Sequence, residues 1–308
     1  MTVRDWVIDR LLRLTGLSLG GAALVAALWG GVPQTVRAAA PHPAMWVVRG
    51  GQSTVYLFGT IHVMKDDVKW LTPNLRQRFE SADALWLEVP DLDNMTAVTQ
   101  AAQKYSVNPA GDMTRGLTPE EIAQIDTLTA PYGLSAQRMQ GVKKWAVGLF
   151  ITTQQIAALG YNPRIGVDIT LLDGARYLDK PVHGFETIDG QMQILAPKTD
   201  DEDVAALRAA LKDSSQLKDE LPPLLEAWES GDEDRMVHDL VDKERQEDPA
   251  EYQRMIVGRN QAWVPQVEQI IKGKGTTFIA VGTAHLIGPD SVIAQLRKDG
   301  FKVDRIDP

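Results

Sequence analysis

The sequence predicts an α/β fold: a central mixed, mainly parallel sheet flanked by helices, with helical insertions. Three observations predict it. First, Val55-Tyr56-Leu57-Phe58 and Thr277-Phe278-Ile279-Ala280-Val281 are short runs rich in β-branched and aromatic residues, near opposite ends of the chain. Each is too short for a helix and too uniformly apolar for a strand with one wet face, so each reads as a strand buried on both sides. Second, each run breaks at a glycine and delivers a histidine three residues later, in Gly59-Thr60-Ile61-His62 and Gly282-Thr283-Ala284-His285. Third, strand, helix, strand patterns extend from both runs, and such crossovers are parallel and right-handed. If the two runs are neighbours in one sheet, both imidazoles enter one crevice outside the carboxyl ends of the strands, where open α/β sheets hold ligands.

Taken in order, Trp46-Val47-Val48-Arg49 and Ser53-Thr54-Val55-Tyr56-Leu57-Phe58 flank Gly50-Gly51-Gln52, a hairpin signal that predicts an antiparallel edge to the sheet. Thr72-Pro73 caps and opens a helix to about Ser81 with Leu75 and Phe79 on one face. Ala84-Leu85-Trp86-Leu87-Glu88-Val89 is a further buried strand, ended by Pro90, and the crossover brings Glu88 to the sheet edge that carries His62. Residues 91 to about 160 read as helical, with a capped start at Thr118-Pro119-Glu120-Glu121 and a two-sided apolar helix from Lys143 to Leu159. Gly166-Val167-Asp168 opens the next helix, with Asp168 as its cap. Pro181-Val182-His183-Gly184-Phe185-Glu186 is a short strand that again ends in a carboxylate. Residues 201–245 read as three acidic helices, Asp201 to Asp213, Leu221 to Ser230 and Asp232 to about Arg245, whose carboxylates form a solvated face. A helix from Arg259 to Lys272 leads into the second glycine-histidine strand. A helix after Gly288-Pro289-Asp290 and a strand over Phe301 to Ile306 complete a second strand, helix, strand unit.

Residues 1–40 read as a secretory leader rather than part of the fold. Arg4, Arg10 and Arg13 precede an apolar, glycine-interrupted stretch from Leu17 to Trp29, and the segment closes on Val36-Arg37-Ala38-Ala39-Ala40. The glycines hold the apolar run below the ~20 residues that span a bilayer, so cleavage is expected and no stable membrane span remains after it. The chain from 41 to 308 then reads as one α/β domain, with residues 91–160 and 190–255 as helical layers or a lid. A periplasmic or secreted location follows. The formal charge of −9, without a lysine or arginine run, argues against nucleic acid or anionic lipid as the main partner. The absence of cysteine excludes disulfides, a thiol nucleophile and cysteine metal sites.

Four strand ends supply His62, Glu88, Glu186 and His285. Two neutral imidazoles with one or two carboxylates are the nitrogen and oxygen donors of a divalent first-row ion that keeps an open position for water. A carboxylate not used as a ligand could take a proton from that water. Glu186 reads as a partner that orients a histidine in preference to a direct ligand. Arg259 at a helix start meets the positive end of the dipole, a conflict that calls for a partner such as a site carboxylate or a substrate carbonyl; Asn260 beside it could do either job. His183 lies inside a strand, His238 on an acidic helix and His42 beside the leader, so none is a good site candidate. Neither His-Glu-x-x-His nor a serine nucleophile elbow is present.

The two Gly-x-x-His motifs, Met45-Trp46, Leu85-Trp86-Leu87-Glu88-Val89, Gly166-Val167-Asp168, Gly184-Phe185-Glu186-Thr187, Arg259-Asn260 and His285-Leu286-Ile287-Gly288 resemble, in order, the landmarks of the TraB/GumN family, to which the Tiki metalloproteases are related. The resemblance covers most of the chain after residue 44. It implies a manganese- or cobalt-dependent protease that uses the two motif histidines and a glutamate; zinc is also compatible with such donors. We therefore expect His62, His285 and Glu88 to hold the ion, with Glu88, Glu186, Arg259 and Asn260 completing the catalytic groups and a peptide or protein as substrate. Two rival readings are a metal-free esterase-like hydrolase in which histidine and glutamate activate water, and a non-catalytic binder of a peptide or small ligand.

Overall fold

The sheet is laid down from both ends of the chain in a computed structural model that describes residues 41–308. The expected leader lies outside the described residues. Strand β1 (Met45–Arg49) turns back into β2 (Gln52–Thr60), pairing Met45 with Phe58. Gly50 in the turn is required by space, since a Cβ there would collide with the carbonyl of Ile271. Helix α1 (Pro73–Ser81) is capped as the sequence predicts, Thr72 Oγ1 accepting from Leu75 N at 3.1 Å, and it buries Leu75 and Phe79. Strand β3 (Ala84–Leu87) follows, then α2 (Met95–Ser106), α3 (Pro119–Thr129) with a complete Thr118/Glu121 capping box, and α4 (Lys144–Ala158). Next come α5 (Val167–Tyr177), β4 (Val182–Gly184), α6 (Ile188–Leu195) and α7 (Asp200–Glu229). Helix α8 (Glu233–Met236), a π-helical turn over Val237–Asp242 and α9 (Lys243–Glu247) lead to α10 (Pro249–Tyr252). A second π-helical turn, Gln253–Val257, runs directly into α11 (Gly258–Lys272). Strand β5 (Lys274–Gly282), α12 (Val292–Lys298) and β6 (Val303–Ile306) end the fold.

The six strands lie in the order β4-β3-β5-β2-β1-β6. β2 and β5 are parallel neighbours, with Gly59 opposite Val281 and Thr60 opposite Gly282. β3 and β4 continue the parallel part, and β1 alone runs against the rest. The mixed, mainly parallel sheet is thus as the sequence predicts. The expected antiparallel edge is not, because β6 adds onto β1, pairing Met45 with Ile306, and makes β1 an internal strand.

Two apolar clusters form. The larger packs both faces of the sheet and includes Trp46, Phe58, Trp70, Trp228, Trp263 and Phe278. Phe58 sits 6.1 Å from Trp70 and from Phe278 and 6.3 Å from Trp228 between ring centroids, pairings that add roughly 0.5–1.5 kcal/mol each beyond burial. The smaller gathers Ile125, Val147, Phe150, Leu207 and Leu211 from α3, α4 and the first half of α7, with Met113 from the loop before α3.

Helix α7 corrects the sequence reading of two separate acidic helices over Asp201 to Ser230. Pro222 and Pro223 lie within it, and each interior proline removes a donor and crowds a carbonyl at a cost of about 3 kcal/mol. The helix nonetheless continues because Leu207 and Leu211 anchor its first half in the small cluster, while Ala227 and Trp228 anchor its second half in the large one.

Candidate functional site

The parallel pairing of β2 and β5 brings the two motifs side by side. Beyond Gly282, residues Thr283–His285 make one 3-10 turn, and Thr283 Oγ1 donates to the Thr60 carbonyl at 3.0 Å, tying one motif to the other. Both motif glycines answer to space. A Cβ on Gly59 would stand 2.7 Å from Thr283 Oγ1. On Gly282 it would stand 3.0 Å from Glu88 Oε1, 3.6 Å from His285 Cδ2 and 3.7 Å from His62 Nε2. Groups from three elements therefore converge on a backbone that only glycine keeps bare.

Glu88 follows β3 and is buried, 9% exposed. Its Oε1 accepts from Gly282 N at 2.8 Å, and its Oε2 accepts from Arg259 Nη2 at 2.6 Å and Gln191 Nε2 at 3.2 Å. Burial raises its pKa, but His285, His62 and Arg259 and the Gly282 amide bring it down to about 2. Because His285 is itself neutral near pH 7, the pull that matters there comes from His62 and Arg259.

Arg259 is 6% exposed and is the hub of the site. Its Nε and Nη2 grip Glu186 at 2.7 and 3.0 Å, Nη2 also reaches Glu88, and Nη1 donates to His285 Nε2 at 3.1 Å. Trp263, one turn on, donates its Nε1–H to Glu186 Oε1 at 3.0 Å and lies beneath the guanidinium, 4.8 Å from its ring centroid. Glu186 thus positions Arg259 rather than a histidine. The dipole conflict is also corrected: the helical backbone runs through Gln253–Val257 into α11, so Arg259 lies beyond the first turn, where no unpaired N–H groups oppose its charge.

Each histidine has its second nitrogen held. Asn260 Oδ1 accepts from His285 Nδ1 at 2.8 Å, while its amide donates to the Asp290 carbonyl at 2.9 Å and so fixes which way it faces. Burial is the main influence on His285, taking its pKa to about 4, with Arg259 and His62 acting the same way against Glu88. It is neutral, with Nε2 facing the site. His62 Nδ1 meets Asp168 Oδ1 at 3.1 Å. Burial works against charge on His62, but the Asp168 bond and the charges of Asp168 and Glu88 prevail and raise its pKa to about 9. With 64% of the side chain exposed, the penalty for desolvation is the weaker side of that balance.

The sequence-predicted residues His62, Glu88, Glu186, Arg259, Asn260 and His285 all meet here. Asp168 is not the cap of α5, a place taken by Gly166, and instead orients His62. Gly166 allows this because its Cα packs against the His62 carbonyl with no room for a side chain. Trp263 was available to sequence reasoning as the residue four beyond Arg259, on the same helix face; Gln191 carried no sequence signal. His183 lies on the edge strand and His238 pairs with Asp239 at the surface, both away from the site.

Among the described residues, no three histidine, aspartate or glutamate side chains stand in a ready-made metal cluster. Arg259 Nη1, not a third donor, faces His285 Nε2. The donor chemistry nevertheless fits a divalent ion. Two imidazoles with their Nδ1 atoms held by an acceptor, and a buried ionised carboxylate, are the second-layer and ligand pattern of such sites.

The model of the TraB/PrgY/gumN family matches residues 44–305. An uncharacterized protein of Treponema pallidum (strain Nichols) is 22% identical over 266 residues, spanning 82% of this chain and 80% of its own. The uncharacterized protein YbaP of Escherichia coli (strain K12) is 24% identical over 256 residues, spanning 83% of this chain and 92% of its own, and YbaP of Shigella flexneri has the same values. No solved structure matches.

Proposed function

As the chain belongs to the TraB/PrgY/gumN family, we propose that it is an exported metal-dependent hydrolase acting on peptide bonds. One observation carries this reading: His62 Nε2 and Glu88 Oε1 meet His285 beside the bare Gly282 backbone, with both histidines held from behind. His62, His285 and Glu88 would hold a manganese, cobalt or zinc ion, which polarises a carbonyl and acidifies water when bound. Asp168 and Asn260 fix the imidazole orientations, keeping each Nε2 toward the site. Glu186 accepts two bonds from Arg259 and one from Trp263, so it serves as an anchor and not as the base. Arg259 Nη1 donates to His285 Nε2 and to the Met255 carbonyl, so it would meet charge developing on a carbonyl oxygen only once His285 Nε2 turns to the ion and releases the N–H that it now accepts. Peptide as the substrate class rests on the resemblance to Tiki proteases.

The test is cleavage of a peptide library by the purified protein before and after chelation. Cleavage that disappears with EDTA and returns with manganese or cobalt is expected. Cleavage that persists in verified metal-free protein would instead establish the metal-free His/Glu hydrolase. Peptide binding without cleavage under any metal would leave only a binding protein.

The export part of the proposal stands on the basic, apolar, small-residue layout of residues 1–40. No helix among the described residues is long and apolar enough to cross a membrane. The mature amino terminus is expected between Ala39 and Pro41, and mass spectrometry of exported protein that retains Met1 would reject cleavage.

A further inference from the structure

The walls of the site differ in how they are held. Helix α11 brings Arg259, Asn260 and Trp263 to it and buries Val264, Val267 and Ile271 alongside them. β3 and β5 are central strands of the sheet. Helix α6, which closes the Glu88 side, buries none of its eight residues. Polar contacts hold it at three points. In its first turn Asp189 accepts from Lys104 Nζ at 2.7 and 3.0 Å and from Tyr105 Oη at 3.1 Å, both on α2. At its other end the carbonyls of Ile194 and Leu195 accept from Arg254 Nη1 at 2.7 and 3.4 Å. Between them Gln191 Nε2 donates to Glu88 Oε2 at 3.2 Å.

These are weak restraints. The side chains of Lys104 and Asp189 are 58% and 54% exposed, and an ion pair so placed is screened by salt and contributes little. A segment with little apolar burial and exposed polar contacts opens locally far more often than the whole fold unfolds. Its ends, by contrast, are fixed: Glu186, two residues before α6, is gripped by Arg259, and Ala196, just after it, is 6% exposed. Thr187 Oγ1 accepts from Gly190 N at 3.1 Å and keeps the helix wound. A short wound helix between two fixed ends, latched in the middle, is built to move as a unit. Arg254 lies in the π-helical turn whose Met255 carbonyl accepts from Arg259 Nη1 at 3.3 Å, so that turn touches both the carbonyl end of α6 and the hub of the site.

We propose that α6 is a gate over Glu88, latched by the Gln191 amide, that swings away to open the Gln191 side of the carboxylate to an entering substrate, while Arg259 keeps its hold on Oε2, and closes on it afterwards. Lids of this kind exclude water and complete a site after substrate has entered. The gate rests on the proposed function only in taking Glu88 as part of the reacting site. Gln191 is a positioning residue, since it touches Glu88 and not the reacting atoms.

Hydrogen exchange followed by mass spectrometry on the ion-free protein tests it. Residues 188–195 are expected to exchange at least about tenfold faster than 84–87. Gln191→Ala, Asp189→Asn, or about 0.5 M salt should each speed 188–195 by roughly threefold with the thermal midpoint unchanged. Exchange of 188–195 at the rate of 84–87, in wild type and variants alike, overturns the gate. A second arm uses the absence of native cysteine. Lys104→Cys with Asp189→Cys, joined by a short bis-maleimide, should return 188–195 to slow exchange. If the joined protein exchanges as fast as the unjoined one, the helix unravels in place and does not swing, which also overturns the gate. Neither arm needs metal or substrate, so both decide the gate whatever becomes of the hydrolase.

Discussion

Replacing Arg259 with glutamine is expected to cost about 3–5 kcal/mol of folding stability, because it removes one partner of a buried charge network and leaves the others uncompensated. The guanidinium is the only cation bonded to the carboxylates of Glu88 and Glu186 among the described residues, and both carboxylate side chains are about one-tenth exposed. A neutral amide reaches one of them at most and cancels neither charge. If Arg259 also meets charge developing on a substrate carbonyl, turnover should fall about a hundredfold or more in the folded fraction. Lysine should recover part of the stability and little of the turnover, since a point charge lacks the fork that spans Glu186 Oε1 and Oε2 at 2.7 and 3.0 Å. Denaturant unfolding of Arg259→Gln, Glu186→Gln and the double variant isolates the charge effect: the double change should cost clearly less than the sum of the singles. Singles that leave both midpoint and turnover near wild type would return Arg259 to a surface role, against its 6% exposure.

The strands and the meeting of the two histidines were legible in the sequence because β2 and β5 are buried on both faces, and such strands write short apolar runs rich in β-branched and aromatic residues. Glycine followed by histidine at the end of each run then located the crevice. The parts that stayed illegible depend on distant segments. Asp168 looked like a cap because aspartate at the start of a helix has a local reason to be there, and only the close packing of Gly166 on the His62 carbonyl shows the non-local one. Arg259 looked misplaced because the π-helical turn before it was invisible, so a helix that runs on from upstream was taken to begin there. The break expected between Asp213 and Leu221 does not occur, because α7 runs on through Pro222 and Pro223, held by two hydrophobic anchors that no local window contains. Gln191 reaches Glu88 across 103 positions from a helix with no buried face, and no periodicity could mark it.

Removing the two motif histidines should separate binding from folding, because the fold holds the two rings very differently. His62→Ala should cost little beyond the one hydrogen bond that the largely buried Asp168 loses, because 64% of the His62 side chain is exposed. His285→Ala should cost roughly 2–4 kcal/mol, since it opens a cavity and strips a buried hydrogen-bonded network. The ring is 3% exposed, contacts Trp263 at 4.4 Å between centroids, and its loss strands Asn260 Oδ1 and Arg259 Nη1. If both are ligands, their effects on metal should be alike despite this difference. Each should weaken manganese or cobalt binding by at least about a hundredfold, the upper end of what changing a residue behind a ligand costs, and Asp168→Asn should weaken it by about 10- to 100-fold. Calorimetric titration of ion into each folded variant, beside its denaturant midpoint, gives both quantities on the same protein. Wild-type binding that survives in His62→Ala but not in His285→Ala would mean that one imidazole is structural and that the shared site is wrong. Loss in both, with only His285→Ala destabilised, is the result that a single ion beside Gly282 requires.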